Sequence, residues 1–124
     1  MLASATVVSL VGTTRADASK QFYESTLGLK FIKDDGYAFV FDIGGRELRV
    51  SRVPAVIPST YAVLGFVVAD IAATVDGLAA KGVKFERFGF FQQDARGVWA
   101  APDGTKVAWF RDPDMNMLSV VQHA

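Results

Sequence analysis

The chain has 124 residues, with thirteen Lys and Arg against thirteen Asp and Glu, one histidine and no cysteine. This length suits a single domain with its own core, and the balanced charge argues against a nucleic-acid partner, because phosphate binding requires a basic surface. Without cysteine there are no disulfides and no thiolate chemistry, and the lone His123 argues against a multi-histidine metal site. No apolar run reaches the roughly twenty residues that span a bilayer. No basic secretion leader precedes the first strand, so we expect a cytoplasmic protein with no membrane partner.

The first half begins with an apolar strand, continues as a helix of about three turns and reaches a second strand at GLKF, over residues 6 to 31. Thr14 and Asp17 have the spacing of a capping box, which predicts the start of the helix. Ala18 and Phe22 lie on one helical face, and we expect that face to pack on a sheet. The stretch YAFVFDIGGRELRV then predicts two strands joined by a glycine turn.

The second half repeats this plan over residues 61 to 85, ending in the similar word GVKF. Asp70 is a good N-cap for its helix, and Gly28 and Gly82 are placed to end the two helices in the left-handed conformation. The second half closes with two strands in KVAWFRDPDMNMLSVV. It also carries an insertion, residues 88 to 104, which the pattern leaves open as a lid, a core hairpin or an interface.

These elements predict an α+β fold in one domain, residues 1 to 124, made of two tandem β-α-β-β-β modules. The first module spans about 5 to 53 and the second about 60 to 123. We expect their curved mixed sheets to form an open cleft, with one helix per module on the outer face.

The words FYESTLGLKF and FRDPDMNMLSVVQ resemble the FY...LG and DPDGN...EL motifs of the vicinal oxygen chelate superfamily, which contains glyoxalases, extradiol dioxygenases and bleomycin-resistance proteins. The resemblance runs from about Thr6 to Gln122. It implies a cleft between the two modules and a homodimer. It does not imply a particular reaction, because this fold hosts isomerases, lyases, oxygenases, transferases and binding proteins.

The resemblance also implies where metal ligands would lie in metal-dependent members. Those four positions fall on Val8, Arg49, Val63 and Ser119. Valine has no lone pair, arginine is a fixed cation and a lone serine binds divalent metals poorly, so we expect no metal cofactor. The glycine of the family's DPDGN word is replaced by Met115.

Strand alternation puts Arg49 on the face opposite Leu48 and Val50. There it either binds an anionic group of a ligand or pairs with Glu47 or another neighbour on an open sheet. The chain also carries a surplus of aromatic residues, which either form a stacking pocket or serve the core and a dimer interface. The ligand-binding candidates are Val8, Phe39, Phe41, Arg49, Val63, Phe91, Trp99, Trp109 and Ser119.

We expect a protein that binds a small organic molecule in the cleft without metal, as bleomycin-resistance proteins sequester their ligand. One alternative is an enzyme of glyoxalase or dioxygenase type with a non-standard or absent metal site. A second is a homodimeric interaction module whose aromatic residues bind a protein partner.

Overall fold

A computed structural model describes all residues from 1 to 124. The chain divides into two compact units, unit 1 over Met1–Ile57 and unit 2 over Pro58–Ala124. Each unit contains one four-stranded mixed sheet and helical structure, which confirms the predicted α+β class and tandem modules. Neither unit contains a helix with the length and hydropathy needed to cross a bilayer.

Unit 1 follows the predicted order of strand, helix and three strands. Its elements are β1 (Ser9–Thr13), α1 (Ala16–Gln21) continued by a π-helix (Phe22–Thr26), β2 (Lys30–Asp34), β3 (Ala38–Ile43) and β4 (Arg46–Arg52). The sheet order is β1-β4-β3-β2, with β1 parallel to β4 and the other neighbours antiparallel. Gly44 and Gly45 have φ values of 57° and 85°, the left-handed pair that a tight turn between β3 and β4 requires.

The helix-side face of the unit 1 sheet forms its core. Leu48 and Val50 of β4 are fully buried and lie opposite Phe41 and Phe39 of β3. Tyr23, which is also fully buried, packs on Phe41 with the ring centroids 6.0 Å apart. The alternation predicted for β4 is therefore confirmed, with its apolar residues on the covered face.

The predicted capping box of the first helix is wrong. Arg15 holds the N-cap position, and no side chain caps the helix there. Instead the hydroxyl of Thr13, at the end of β1, accepts a hydrogen bond of 3.0 Å from the Arg15 N–H. A hydroxyl that bonds the backbone two residues later forms a local turn of its own at the start of the helix.

The buried face of the first helix also differs from the prediction. Ser19 and Tyr23 are the buried residues, whereas Ala18 and Phe22 are only half-buried. The Ser19 hydroxyl is hydrogen-bonded to that of Thr13 at 2.7 Å, which draws this side of the helix onto the sheet. Such a buried polar contact cannot be read from a hydrophobic period.

Unit 2 is built from β5 (Leu64–Val67), α2 (Ile71–Ala80), β6 (Trp99–Ala100), β7 (Lys106–Arg111) and β8 (Met117–Gln122). The sheet order is β5-β8-β7-β6, with β5 parallel to β8. Asp70 caps α2 as predicted, since its carboxylate accepts the Ala73 N–H at 3.1 Å. Gln122, at the end of β8, accepts the Ile71 N–H at 2.9 Å and so attaches the start of α2 to the sheet.

The repeat predicted from the sequence is visible in the strand register. Ser9 of β1 lies opposite Leu48 of the last strand in unit 1, and Leu64 of β5 lies opposite Leu118 of the last strand in unit 2. The prediction of a strand at GVKF in the second half is wrong, however. Only Phe85 forms a bridge, to Phe110, and the fourth strand of the sheet is β6, from the insertion.

The DPDMN word forms a turn held by one buried carboxylate. Asp112 is 3% exposed and accepts hydrogen bonds from the Asp114 and Asn116 N–H groups and from the Asn116 side chain, all between 2.8 and 2.9 Å. Met115 has a φ of 68° and is the one residue other than glycine in the left-handed region. The family's glycine position is thus a left-handed position, and Met115 occupies it under strain.

Four charged residues form two ion pairs that join β4 to the end of β2 and to the residue that follows it. Arg52 donates two hydrogen bonds of 2.8 Å to Asp34, and Arg49 donates one of 2.7 Å to Asp35. The hydrogen bond from Arg52 lowers the pKa of Asp34, and that from Arg49 lowers the pKa of Asp35, in each case from 3.8 to about 2. Backbone N–H donors of the turn act in the same direction.

We predict that Met115→Gly stabilises the protein. Glycine removes the left-handed strain, which is partly offset by the larger entropy that glycine loses on folding, so the free energy of unfolding should rise by about 0.5 to 1 kcal/mol. Urea denaturation measures this change. Met115→Ala retains a Cβ and should leave the strain in place, and equal stability of the two variants would contradict the assignment.

We also predict that the carboxylates of Asp34 and Asp35 give unit 1 an acid-sensitive stability. A carboxyl whose pKa is lower in the folded than in the unfolded state stabilises the fold above the unfolded value, and this contribution is lost as the pH falls through the folded value. The melting temperature of the wild type should therefore fall between about pH 4 and about pH 2.

The double variant Asp34→Asn with Asp35→Asn should show a shallower fall in melting temperature over this pH range. Asp42→Asn is the matched control, since Asp42 is an acidic residue of the same sheet that forms no ion pair. If the double variant and the control lose melting temperature as steeply as the wild type, the two ion pairs do not supply the acid sensitivity.

Candidate functional site

The face of the unit 1 sheet opposite the helix carries Arg49. Its neighbours across the strands are Leu10 and Val40, and strand alternation places Val8 on the same side as Leu10. Val8 is 43% exposed and comes just before β1. This face therefore combines the exposed aliphatic side chains of Val8 and Leu10 with one arginine.

The charge of Arg49 is already paired within unit 1. Its guanidinium lies 2.7 Å from the Asp35 carboxylate and 3.5 Å from that of Glu47, and its side chain is 26% exposed. A ligand anion would have to compete with both carboxylates. The geometry therefore favours the interpretation in which Arg49 pairs with its neighbours, with Asp35 as a partner that the sequence did not indicate.

Phe39 and Phe41 lie on the other face of the same sheet. Both are buried among the core residues of unit 1, and the Arg52 guanidinium covers the Phe39 ring at 4.5 Å from its centroid. They share a face, as alternate residues of one strand do. That face is covered by the helix, so core packing accounts for both residues. They do not share a binding site with Arg49, which lies on the opposite face.

In unit 2, Ser119 lies on the face of β8 opposite to Leu118 and Val120. It pairs with Gly65 of β5 and Trp109 of β7 and is 5% exposed. A Cβ at Gly65 would lie 3.1 Å from the Ser119 hydroxyl, so the glycine gives this hydroxyl its room. Val63, at 43% exposure, comes just before β5 and shares this face by alternation.

Five aromatic residues cover part of this face of the unit 2 sheet and are called the aromatic cluster below. Its members are Phe88, Phe90, Phe91, Trp99 and Trp109. The Phe91 ring stacks on Trp99 at 4.5 Å and on Trp109 at 5.2 Å with an angle of 7° between the planes. Phe88 meets Trp109 edge-on at 5.3 Å, and Phe90 is 79% exposed. The insertion thus packs on the sheet of its own unit and presents aromatic surface to solvent.

Gln93 holds the loop that carries the cluster, and sequence reasoning missed it. Its side-chain oxygen accepts the Phe88 N–H at 2.8 Å, and its amide nitrogen donates to the carbonyls of Glu86 and Gly97 at 2.9 and 2.8 Å. One amide therefore joins three points of the loop. Contacts between a side chain and the backbone at such irregular spacing leave no pattern in the sequence.

Arg111 is a second residue on the Ser119 face that the sequence did not indicate. It lies on β7 two residues after Trp109, and its guanidinium is 3.2 Å from the Glu86 carboxylate. It also donates to the carbonyls of Met115 and Ser59 at 2.9 and 3.2 Å. Its charge is engaged in holding the turn after β7 and the segment before β5.

The side chains at the family's metal positions do not fit a divalent ion. Val8, Val63, Arg49 and Ser119 offer one neutral oxygen between them, whereas such sites use several nitrogen, sulfur or carboxylate donors. Nowhere in the chain do three or more His, Cys, Asp or Glu side chains come together in an arrangement that could hold a metal. These four side chains therefore provide no basis for metal-dependent chemistry at these positions.

Solved structures with this fold include a glyoxalase family protein from Bacillus anthracis, 18% identical, covering 98% of this chain and 96% of its own with a TM-score of 0.76. Lactoylglutathione lyase from Agrobacterium tumefaciens is 21% identical, with coverages of 96% and 93% and a TM-score of 0.70. A glyoxalase/bleomycin resistance protein/dioxygenase from Alicyclobacillus acidocaldarius is 14% identical, with coverages of 97% and 92% and a TM-score of 0.69. At these identities the likeness shows the fold alone.

A search of curated proteins finds no significant match to the chain. The family model of the glyoxalase/bleomycin resistance protein/dioxygenase superfamily matches residues 6 to 120, which is nearly the whole chain and includes both motifs that carried the resemblance. The chain belongs to the glyoxalase/bleomycin resistance protein/dioxygenase superfamily.

Proposed function

We propose that the protein binds a small, flat organic molecule at the aromatic cluster, without a metal cofactor. The observation that carries this proposal is the partly exposed stack of rings beside Ser119, on the sheet face where the family's ligand position falls. Flat apolar molecules stack on such rings, and an offset stack contributes about 0.5 to 1.5 kcal/mol beyond the buried area.

The chemistry around Ser119 supports binding rather than nucleophilic catalysis. A serine hydroxyl needs a base to become a nucleophile, and the only histidine, His123, is an exposed residue next to the carboxyl terminus. A buried hydroxyl between Gly65 and Trp109 is suited to orienting a ligand by one hydrogen bond.

The arrangement of the loop supports the same proposal. Phe91 lies against both tryptophans, so its ring occupies the kind of position that a flat ligand would take. Phe90, one residue earlier, is largely exposed and forms the outer edge of the stack. A ligand can therefore extend the stack at its exposed edge, where the Phe90 and Phe91 rings lie 4.7 Å apart.

We predict that 2-naphthol, a neutral flat probe, quenches the intrinsic fluorescence of the protein in a saturable manner. Both tryptophans of the chain belong to the aromatic cluster, so the signal reports on the cluster and the residues next to it. Phe91→Leu should weaken the binding of 2-naphthol by about fivefold to tenfold, because it removes a stacking ring and keeps an apolar side chain of similar length.

Tyr61→Leu is the matched control, since Tyr61 is an exposed aromatic residue of unit 2 outside the cluster. It should bind 2-naphthol like the wild type. Quenching that stays linear up to the solubility limit, or equal dissociation constants for Phe91→Leu and the wild type, would overturn the proposal. Circular dichroism of each variant checks that the fold is retained.

A further inference from the structure

We propose a second binding site in unit 2, at the outer edge of its sheet, that takes a small aromatic carboxylate. A pocket of about 650 Å³ opens there between the start of α2, strand β6 and the insertion loop. This volume lies within the roughly 300 to 1,000 Å³ of small-molecule sites. The pocket shares Phe90 and Trp99 with the aromatic cluster, but Ala100 and Lys106 lie on the sheet face opposite to Ser119. The proposal therefore does not depend on binding at the Ser119 face.

The floor and one wall of the pocket are apolar. Ile71, at the first turn of α2, and Val98, just before β6, are both buried and line it. Phe90 and Trp99 line the side toward the insertion loop. The pocket therefore offers apolar contact beside polar groups, and this combination is usual in sites for small ligands.

The charged groups of the pocket differ in whether they already have partners. Arg96 is held by Asp76 through two hydrogen bonds of 2.8 and 3.0 Å. The Asp94 carboxylate accepts the backbone N–H groups of Arg96 and Val98, both at 2.9 Å. These contacts leave Lys106 as the lining cation without an ion pair.

Lys106 is placed to meet the polar end of a ligand. It lies on β7 opposite Ala100 of the edge strand, with both residues lining the pocket, and its side chain is exposed. An ammonium group offers three hydrogen-bond donors to an anion, and charge-assisted bonds are about twice as strong as neutral ones. The occupant that fits this combination has a flat apolar body and one carboxylate.

The test compares two probes of the same shape, 2-naphthoate and the neutral 2-naphthamide, by isothermal titration calorimetry. The wild type should bind 2-naphthoate more tightly than 2-naphthamide. Lys106→Ala should weaken 2-naphthoate by about fivefold to tenfold and leave 2-naphthamide within about twofold. Lys84→Ala is the matched control, as an exposed lysine of unit 2 that does not line this pocket.

Ala100→Trp keeps the charge of Lys106 and fills the pocket, so it should abolish the binding of both probes at this site and leave only binding that responds to Phe91→Leu. Equal affinity of Lys106→Ala and the wild type for 2-naphthoate would overturn the proposal. So would an equal loss of both probes in Lys106→Ala. If 2-naphthoate binding responds to Phe91→Leu but not to Lys106→Ala, the probe binds at the aromatic cluster, and the edge site fails while the proposed function stands.

Discussion

The placement of the last strand of each unit at an inner position of its sheet determines the rest of the structure. In both units this strand has a parallel neighbour on one side and an antiparallel neighbour on the other, so it contacts strands along both edges. Its alternate residues must then divide between two faces. Leu48 and Val50 in unit 1, and Leu118 and Val120 in unit 2, pack beneath helical structure. Arg49 and Ser119 are forced onto the opposite faces.

The two opposite faces differ in the chemistry that they offer. In unit 1 the arginine is engaged by two carboxylates, and the surrounding surface is aliphatic. In unit 2 the equivalent strand position holds a serine, and the insertion supplies rings that stack beside it. Gln93 and Asp112 stabilise this side of unit 2 because each side chain bonds several backbone groups. Stacking and a single hydroxyl are means of binding, which is why the proposed function is recognition of a flat molecule.

Much of the fold could be predicted because its signals are local or periodic. The repeat, the Asp70 cap, the left-handed glycines and the alternation along β4 and β8 follow from spacing and residue type. The first helix has its N-cap at Arg15 and not at Thr14, a difference of one residue that spacing does not resolve. The GVKF segment contributes only the Phe85 bridge to β7, and β6, from the insertion, pairs with β7 nearer its start. Neither pairing leaves a local pattern in the sequence.

The candidate site was predicted in part. Trp99, Trp109 and Phe91 do come together, and Ser119 lies on their face, as expected from aromatic content and strand alternation. The pattern also showed that Phe39 and Phe41 share a face, but not which one, since alternation alone does not say where the helix packs. Asp35 is fourteen residues from Arg49 and no periodicity joins them, so this ion pair emerged only from the three-dimensional arrangement.

The measurement that tests the central claim most directly is native mass spectrometry of the protein purified without chelator and then incubated with zinc, manganese, iron(II) or nickel. We expect the measured mass of the protein to include no stoichiometric metal under any of these conditions, whether or not an organic molecule from the host is retained. One divalent ion bound per chain would contradict it, because it would mean that residues other than Val8, Arg49, Val63 and Ser119 build a metal site in this fold.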